Sequence, residues 1–182
     1  MLIVLIGYRC SGKTSVGKRV ASILKWRFVD SDAVIEERTG KSIEEIVATG
    51  GWTAFRNEEA NAIKRLATLD KTVLATGGGV ILNPANRKLL RKQGVVVWLK
   101  ADTTTIENRM KQDDKTESQR PGLTDKGSME EIKTVLLERT PYYRDAAHHI
   151  IDTSNKSADE IADEIITLTR RLSENSDPTA KE

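Results

Sequence analysis

Short apolar runs alternate with amphipathic segments along most of the chain. Residues 2–6, 72–76 and 95–99 are three such runs, rich in aliphatic and β-branched side chains, as is typical of strands buried on both faces. Residues 26–29 and 148–151 are two shorter strand candidates. Because segments with helical spacing separate these runs, the pattern predicts an α/β fold: a parallel sheet with helices on both of its faces.

Capping signals predict where several helices begin and end. Four pairs mark helix starts, as capping boxes or as an N-cap followed by proline: Ser42/Glu45, Asn83/Pro84, Ser128/Glu131 and Ser157/Glu160. Breaks are expected at Gly40, at Gly50-Gly51 and at Pro141. The helix after Gly51 places five residues on one inward face: Phe55, Glu59, Ala62, Ile63 and Leu66.

The 182 residues suit one domain, which we expect to occupy residues 1–173. Residues 111–127 are polar, carry Pro and Gly, and show no apolar period. A stretch of this length inside a compact domain is typical of a functional lid or of disorder, and we expect a lid. Residues 174–182 are polar and aperiodic, and they are expected to form a flexible tail.

Charge and cysteine content narrow the class of partner. Basic and acidic residues nearly balance at a net charge of +2, so charge alone indicates neither a nucleic-acid partner nor a membrane partner. The single cysteine excludes an internal disulfide and agrees with a cytoplasmic location. The first residues lack the basic segment of a signal peptide, and their apolar run is too short to span a bilayer.

The stretch Gly7–Thr14 matches the phosphate-binding pattern of Gly, four residues, Gly, Lys and Thr. It follows an apolar strand and precedes a helical pattern, which is the setting that the pattern requires. Backbone N–H groups in such a loop form a nest for anions at a helix N-terminus. Lys13 can reach the β- and γ-phosphates, and the Thr14 hydroxyl can ligate Mg²⁺. We call Gly7–Thr14 the phosphate loop.

Other candidate groups stand at the ends of predicted strands, where parallel sheets bind ligands. Asp30 and Asp32 follow one strand, Gly77-Gly78-Gly79 follows another, and Asp152 ends a third. One aspartate can position Mg²⁺ through water while the other accepts a proton, although Asp32 is also well placed to cap a helix that begins at Ala33. Three glycines can let backbone approach a ligand closely, or can form only a flexible turn.

Arginines and histidines add weaker signals. Arg56 and Glu59 form either a solvated surface pair or a half-buried pair suited to carboxylate recognition. Arg120 and Arg139, each taken alone, are typical of surface residues. The two histidines at positions 148 and 149 have no third ligand at metal spacing, so a structural role is favoured.

Taken together, these motifs resemble those of shikimate kinases from residue 2 to about residue 172. The features that carry the resemblance are the phosphate loop, Asp30-Ser31-Asp32, Phe55-Arg56 with Glu59, Gly77-Gly78-Gly79, Arg120-Pro121, Arg139-Thr140-Pro141-Tyr142-Tyr143 and Ile151-Asp152-Thr153. The resemblance implies ATP-dependent phosphorylation of the 3-hydroxyl of shikimate with Mg²⁺ as cofactor. It also implies a three-layer α/β/α fold of the P-loop kinase type with a five-stranded parallel sheet.

The resemblance also implies roles for individual residues. On the shikimate side, the implied substrate-binding region is about residues 32–62, and in it Asp32 orients or deprotonates the attacking hydroxyl. Arg56 and Arg139 clamp the substrate carboxylate beside the backbone of Gly78, and Glu59 braces Arg56. Gly77 and Gly79 complete the implied substrate-binding set. On the nucleotide side, the implied ATP contacts are Cys10, Ser11, Gly12, Lys13, Thr14, Ser15, Arg109, Arg120 and Lys156, with Lys13 and Arg120 also catalytic. Mg²⁺ is expected at Thr14 and, through water, at Asp30.

Three other functions stay open from the residues alone. A kinase of another small metabolite, such as gluconate, fits the same scaffold. A GTPase is disfavoured because Asn155–Asp159 has one residue too many for the guanine motif. A catalytically silent nucleotide-binding module would lack Lys13, Asp32 or Arg56, and all three are present.

The enzyme is expected to act as a monomer. Cys10, at a loop position more usually occupied by glycine or another small residue, is either reactive or an inert small side chain.

Overall fold

A computed structural model describes residues 1–112 and 128–175. The predicted lid from residue 113 onward, including Arg120, lies outside the described residues, as does the predicted tail from residue 176 onward. The described elements are, in chain order, β1 (Leu2–Ile6), α1 (Lys13–Leu24), β2 (Arg27–Asp30), α2 (Ser31–Thr39), α3 (Ile43–Leu66), β3 (Thr72–Ala75), a 3₁₀ turn (Val80–Leu82), α4 (Pro84–Gln93), β4 (Val95–Lys100), α5 (Thr103–Lys111), α6 (Ser128–Ala146), β5 (His149–Asp152) and α7 (Ala158–Asn175).

The five described strands form one parallel sheet in the order β2-β3-β1-β4-β5. In the central pairing Leu2 lies opposite Thr72, and Ile3 lies opposite Val95. The strands β2 and β3 lie on one side of β1, and β4 and β5 lie on the other. Ligands bind at such a switch in strand order in open parallel sheets. The five-stranded parallel sheet predicted for this sequence is therefore confirmed.

Side chains of the central strand alternate between two cores. Val4 and Ile6 are buried on the face that packs against α3 and α6, in a cluster with Phe55 and Tyr143. Ile3 and Leu5 point to the other face, where they pack with residues of α1 and α7. This alternation is the period of two that a strand imposes, and burial on both faces explains why β1 is apolar throughout.

One helix begins earlier in the structure than the sequence predicts, and a different residue caps it. The helix α2 begins at Ser31 rather than at Ala33, and its N-cap is Asp30, whose carboxylate accepts a hydrogen bond from the Asp32 N–H at 3.0 Å. The interpretation of Asp32 as a helix cap is therefore wrong. An aspartate at either position fits the capping rule, so the sequence could not decide between them.

A break at Pro141 is also not observed, because α6 continues through it to Ala146. Proline removes one helical hydrogen bond and disfavours a helix interior, but tertiary packing can outweigh that cost. Here the turns on either side of Pro141 carry Arg139 and Tyr143, which are both buried. The break at Gly50-Gly51 is confirmed, since Gly51 has φ 69° and ψ 176° inside α3.

The last described helix begins with the predicted capping box. The Glu160 carboxylate accepts from the Ser157 N–H at 2.8 Å, and the Ser157 hydroxyl accepts from the Glu160 N–H at 3.2 Å. The helix α7 runs to Asn175, so it includes the first two residues of the predicted tail. Among the helices of residues 1–112 and 128–175, none is long and apolar enough to cross a membrane.

Candidate active site

A cleft of about 470 Å³ opens at the carboxyl edge of the sheet. It is lined by the phosphate loop, the end of β2, the helix α3 and the glycines after β3. Sixteen residues that the sequence marks as ATP, substrate or metal contacts line it: Cys10–Ser15, Asp30, Asp32, Arg56, Glu59, Gly77–Gly79, Arg109, Arg139 and Lys156. Arg120 lies outside the described residues, so its predicted position at the phosphates stays a prediction.

The phosphate loop depends on backbone conformations that favour glycine. Gly7 and Gly12 have φ values of +148° and +96°, and a Cβ at Gly7 would lie 2.5 Å from the Leu99 carbonyl oxygen. Cys10 has φ +57°, in the left-handed region where a side chain is disfavoured. This strain gives a physical reason why glycine suits the position that Cys10 occupies. The Lys13 ammonium lies inside the loop and donates to the carbonyls of Gly7 at 2.9 Å and Tyr8 at 2.7 Å.

Thr14 and Asp30 bring two oxygen atoms together below the loop. The Thr14 hydroxyl donates to Asp30 Oδ2 at 3.3 Å, while Asp30 Oδ1 accepts the Asp32 N–H that caps α2. Both atoms are hard oxygen donors. Mg²⁺ usually binds through one or two protein oxygens, several waters and substrate phosphates, so this pair fits a magnesium ion held beside ATP.

Asp32 and Glu59 approach each other across Gly77. A Cβ on Gly77 would lie 2.6 Å from Asp32 Oδ1 and 3.0 Å from Glu59 Oε1, so both carboxylates pack directly against the glycine. The Gly77 N–H donates to the buried Ser31 hydroxyl at 3.0 Å, which fixes this contact. The triple glycine is thus more than a flexible turn, because at Gly77 any side chain would displace a carboxylate.

Arg56 forms the predicted pair with Glu59 and is half-buried, not solvated. Its Nη1 donates to both Glu59 oxygens, at 2.9 and 2.8 Å. Its guanidinium lies 5.3 Å from the ring centre of Trp52 and 5.1 Å from that of Phe55. A Cβ on Gly79 would collide with this guanidinium. Aromatic rings and a carboxylate therefore hold Arg56 with its remaining donors at the cleft.

Burial, together with the nearby Asp32 carboxylate, raises the pKa of Glu59 from 4.5 to about 7 against the opposing effect of Arg56 and Arg139. A proton that binds more tightly to the folded protein than to the unfolded chain makes stability fall as pH rises from about 4.5 to about 7. Glu59→Gln should remove this contribution, which amounts to about 3 kcal/mol or less at pH 8. The expected result is a flatter dependence of the thermal midpoint on pH between 5 and 8.

The matched control is Glu44→Gln, at an exposed position in the first turn of the same helix. It should leave the slope of midpoint against pH as it is in the unmodified protein. Identical slopes for Glu59→Gln and the unmodified protein would show that Glu59 titrates near its ordinary pKa.

Arg139 and Tyr143 approach the glycines from α6. Arg139 Nη1 donates to the Gly78 carbonyl at 3.3 Å, and the Tyr143 hydroxyl donates to the same oxygen at 2.6 Å. Tyr143 is fully buried, its ring is stacked on Trp98, and burial raises the pKa of its hydroxyl well above the ordinary value. The sequence did not single out Tyr143 as a site residue. The sequence feature that could have indicated Tyr143 is its position one helical turn after Arg139.

A second network of hydrogen bonds and ion pairs, which the sequence did not predict, surrounds Arg9 in the phosphate loop. The Arg9 guanidinium pairs with the buried Glu131 carboxylate of α6, and its Nε donates to the Tyr8 hydroxyl at 3.3 Å. Burial raises the pKa of Tyr8. Glu131 was expected to serve a capping box, and nothing in the sequence connects it with a residue 122 positions earlier.

Arg109 and Lys156 lie at the other end of the cleft, near the end of β5. Arg109 donates to the Cys10 carbonyl at 3.4 Å and to the Thr153 carbonyl at 2.7 Å. Lys156 is exposed and pairs with Glu164 at 2.6 Å. His148 lies outside the cleft lining, and its Nδ1 accepts the Val96 N–H at 3.0 Å, which agrees with the structural role predicted for it.

Comparison with known proteins gives consistent matches. The shikimate kinase family model matches residues 9–170. The shikimate kinase of Syntrophus aciditrophicus (strain SB) is 45% identical over 172 residues, covering 90% of this chain and 88% of that protein. The shikimate kinase of Pelotomaculum thermopropionicum is 43% identical over 164 residues, with 90% and 92% covered. A solved shikimate kinase from Acinetobacter baumannii in complex with shikimate has a TM-score of 0.87 at 33% identity, with 94% and 93% covered.

Proposed function

The chain belongs to the shikimate kinase family and transfers the γ-phosphate of ATP to the 3-hydroxyl of shikimate, and on that premise we propose how its residues divide the reaction. The observation that carries the proposal is that groups from distant parts of the chain line one cleft at the sheet edge. These groups are the phosphate loop, the Asp32 carboxylate and the two arginines Arg56 and Arg139. The gluconate, GTPase and silent-module alternatives lose their support with the family assignment.

The phosphate loop binds the ATP phosphates in this proposal. Its N–H groups and the N-terminus of α1 supply positive partial charge, and Lys13 exchanges the carbonyls of Gly7 and Tyr8 for phosphate oxygens. Thr14 and, through water, Asp30 would hold Mg²⁺. When bound, this ion neutralises charge on the phosphates. Arg109 and Lys156 lie where the nucleoside end of ATP would extend.

Arg56 and Arg139 bind the shikimate carboxylate. Both guanidiniums are fixed before substrate arrives, Arg56 by Glu59 and two aromatic rings, and Arg139 by the Gly78 carbonyl. Pre-positioned arginines bind a carboxylate through charge-assisted hydrogen bonds without first losing side-chain freedom. The ring of shikimate would then lie between these arginines and Asp32.

Asp32 aligns the attacking hydroxyl and receives its proton as that oxygen bonds to the γ-phosphorus and the bond between the γ-phosphorus and the ADP oxygen breaks. Phosphoryl transfer proceeds through a loose transition state, so positioning and charge stabilisation supply most of the rate enhancement. The backbone N–H of Asp32 is held by the Asp30 cap, and its carboxylate packs on Gly77. These contacts set the direction of the carboxylate before shikimate binds.

Arg56→Ala tests the substrate half of the proposal. Removal of a charge-assisted hydrogen bond worth roughly 1.5–3 kcal/mol should raise KM for shikimate about 10–150-fold. The effect on KM for ATP should be small, because the described contacts of Arg56 are with Glu59, two aromatic rings and Gly79, outside the phosphate loop. The measurement is a coupled ADP-release assay with shikimate titrated at saturating ATP.

Arg65→Ala is the control, since Arg65 is an exposed arginine on the same helix. It should leave both KM values unchanged. Gluconate tested in the same assay should not stimulate ADP release. An Arg56→Ala enzyme with the shikimate KM of the unmodified protein would remove Arg56 from the clamp.

The expectations of a monomer and of a cytoplasmic location stay predictions.

A further inference from the structure

Thr153 is a buried threonine immediately after β5. Its N–H donates to the Lys100 carbonyl at 2.7 Å, so its backbone continues the pairing of β5 with β4. Its hydroxyl donates to the Ser11 carbonyl of the phosphate loop at 3.4 Å. Thr153 is not among the described residues that line the cleft, whereas Ser11 is. Thr153 therefore supports the loop from behind.

The same hydroxyl connects the loop to Arg109. Arg109 Nη1 donates to Thr153 Oγ1 at 3.2 Å and to the Cys10 carbonyl at 3.4 Å, and Nη2 donates to the Thr153 carbonyl at 2.7 Å. A threonine hydroxyl can accept one hydrogen bond while it donates another. Thr153 uses both capacities, so the carbonyls of Cys10 and Ser11 and the Arg109 guanidinium form one continuous network.

Peptide geometry shows what this network does for phosphate binding. In a planar trans peptide, the carbonyl of one residue and the N–H of the next point in opposite directions. Holding the Ser11 carbonyl toward Thr153 therefore directs the Gly12 N–H away from Thr153. Cys10, whose φ of +57° is disfavoured for a side chain, has its carbonyl held by Arg109. Strained backbone of this kind persists only where the surroundings fix it.

We propose that Thr153 is a positioning residue for ATP: its hydroxyl fixes the phosphate loop from behind and ties it to Arg109 without touching the nucleotide. This inference rests on the proposed binding of the ATP phosphates by that loop. Without the hydroxyl, the Ser11 carbonyl and one Arg109 donor lose a partner. The loop then spends less time in the conformation that binds phosphate.

The experiment compares Thr153→Val with Thr153→Ser. Valine keeps the shape of threonine and removes only the hydroxyl, so we expect KM for ATP to rise about tenfold, as for one buried hydrogen bond lost. The inhibition constant of inorganic tripolyphosphate, measured against ATP, should rise by the same factor, while KM for shikimate stays within about twofold. Serine keeps the hydroxyl, so its KM for ATP should match that of the unmodified enzyme even where the lost methyl group lowers the thermal midpoint.

Thr72→Val is the matched control. Thr72 is equally buried, and its hydroxyl also donates to a backbone carbonyl, that of Asp70 at 2.8 Å, but it lies at the amino end of β3, away from the cleft. It should lower stability without changing KM for ATP. An unchanged KM for ATP in Thr153→Val would overturn the proposal. So would a Thr153→Ser enzyme with raised KM for ATP, and that variant decides the matter even where the valine variant fails to fold. Loss of shikimate-dependent turnover in the unmodified enzyme would instead contradict the proposed function.

Discussion

Replacing Asp32 by Asn should lower kcat by about 10²–10⁴-fold while KM for ATP changes little. The amide keeps nearly the same shape but cannot take up the proton of the attacking hydroxyl. It also presents an N–H₂ group to Gly77 and Glu59, where the carboxylate now packs. The Asp32 carboxylate packs against Gly77, and the proposal gives it no contact with the phosphates, so nucleotide binding should persist. Steady-state kinetics with each substrate varied in turn separates kcat from the two KM values.

A second readout makes the Asp32 variant more informative. The Asp32 carboxylate helps to raise the pKa of Glu59, so the neutral amide should lower that pKa and move the pH dependence of stability downward. Glu37→Gln, at an exposed position of α2, is the control and should change neither kcat nor the pH profile. A fully active Asp32→Asn enzyme would limit Asp32 to a structural role.

The strands could be predicted within one residue at each end. For β1, β3 and β4 the reason is an apolar run that is buried almost throughout, whereas β2 and β5 are only partly buried. The phosphate loop could be predicted because its function depends on local backbone and on residues adjacent in sequence. Capping was less certain. Asp30 and Asp32 both satisfy the rule, and only the direction of the chain after β2 places the Asp30 oxygen on the Asp32 N–H. The break predicted at Pro141 was wrong for a related reason. Proline disfavours a helix locally, but the burial of neighbouring residues maintains this one.

The contacts that no sequence pattern indicated are those made across long separations. Arg9 meets Glu131 over 122 positions, Tyr143 meets Gly78 over 65, and Thr153 meets Ser11 over 142. Arg9, Tyr143 and Thr153 fall within motifs that the sequence offers, but nothing in those motifs indicates the partner of each. Their roles depend on the sheet order, which brings the end of β5 and the helix α6 beside the phosphate loop. The Arg56–Glu59 pair lies within one helical turn and could be predicted from the sequence, but its burial could not.

Lys13→Ala should lower kcat by about 10²–10³-fold and also raise KM for ATP, in contrast to the separation expected for Asp32 and Arg56. The ammonium is the charged group of the loop that the proposal places on the β- and γ-phosphates. Its contribution should grow as negative charge shifts during transfer, so ground state and transition state both lose stabilisation. Product formation at saturating shikimate, with ATP varied, gives both constants.

The structure adds a second consequence for Lys13. Its ammonium bridges the carbonyls of Gly7 and Tyr8, so alanine removes two hydrogen bonds that shape the loop before ATP arrives. Lys13→Ala should therefore lower the thermal midpoint of the ligand-free enzyme, and ADP should raise that midpoint less than it does in the unmodified protein. Lys18→Ala is the control, because Lys18 is exposed on the same helix and its ammonium lies 5.9 Å from the Phe28 ring centre. A Lys13→Ala enzyme that ADP stabilises as strongly as the unmodified protein would place the phosphates elsewhere in the cleft.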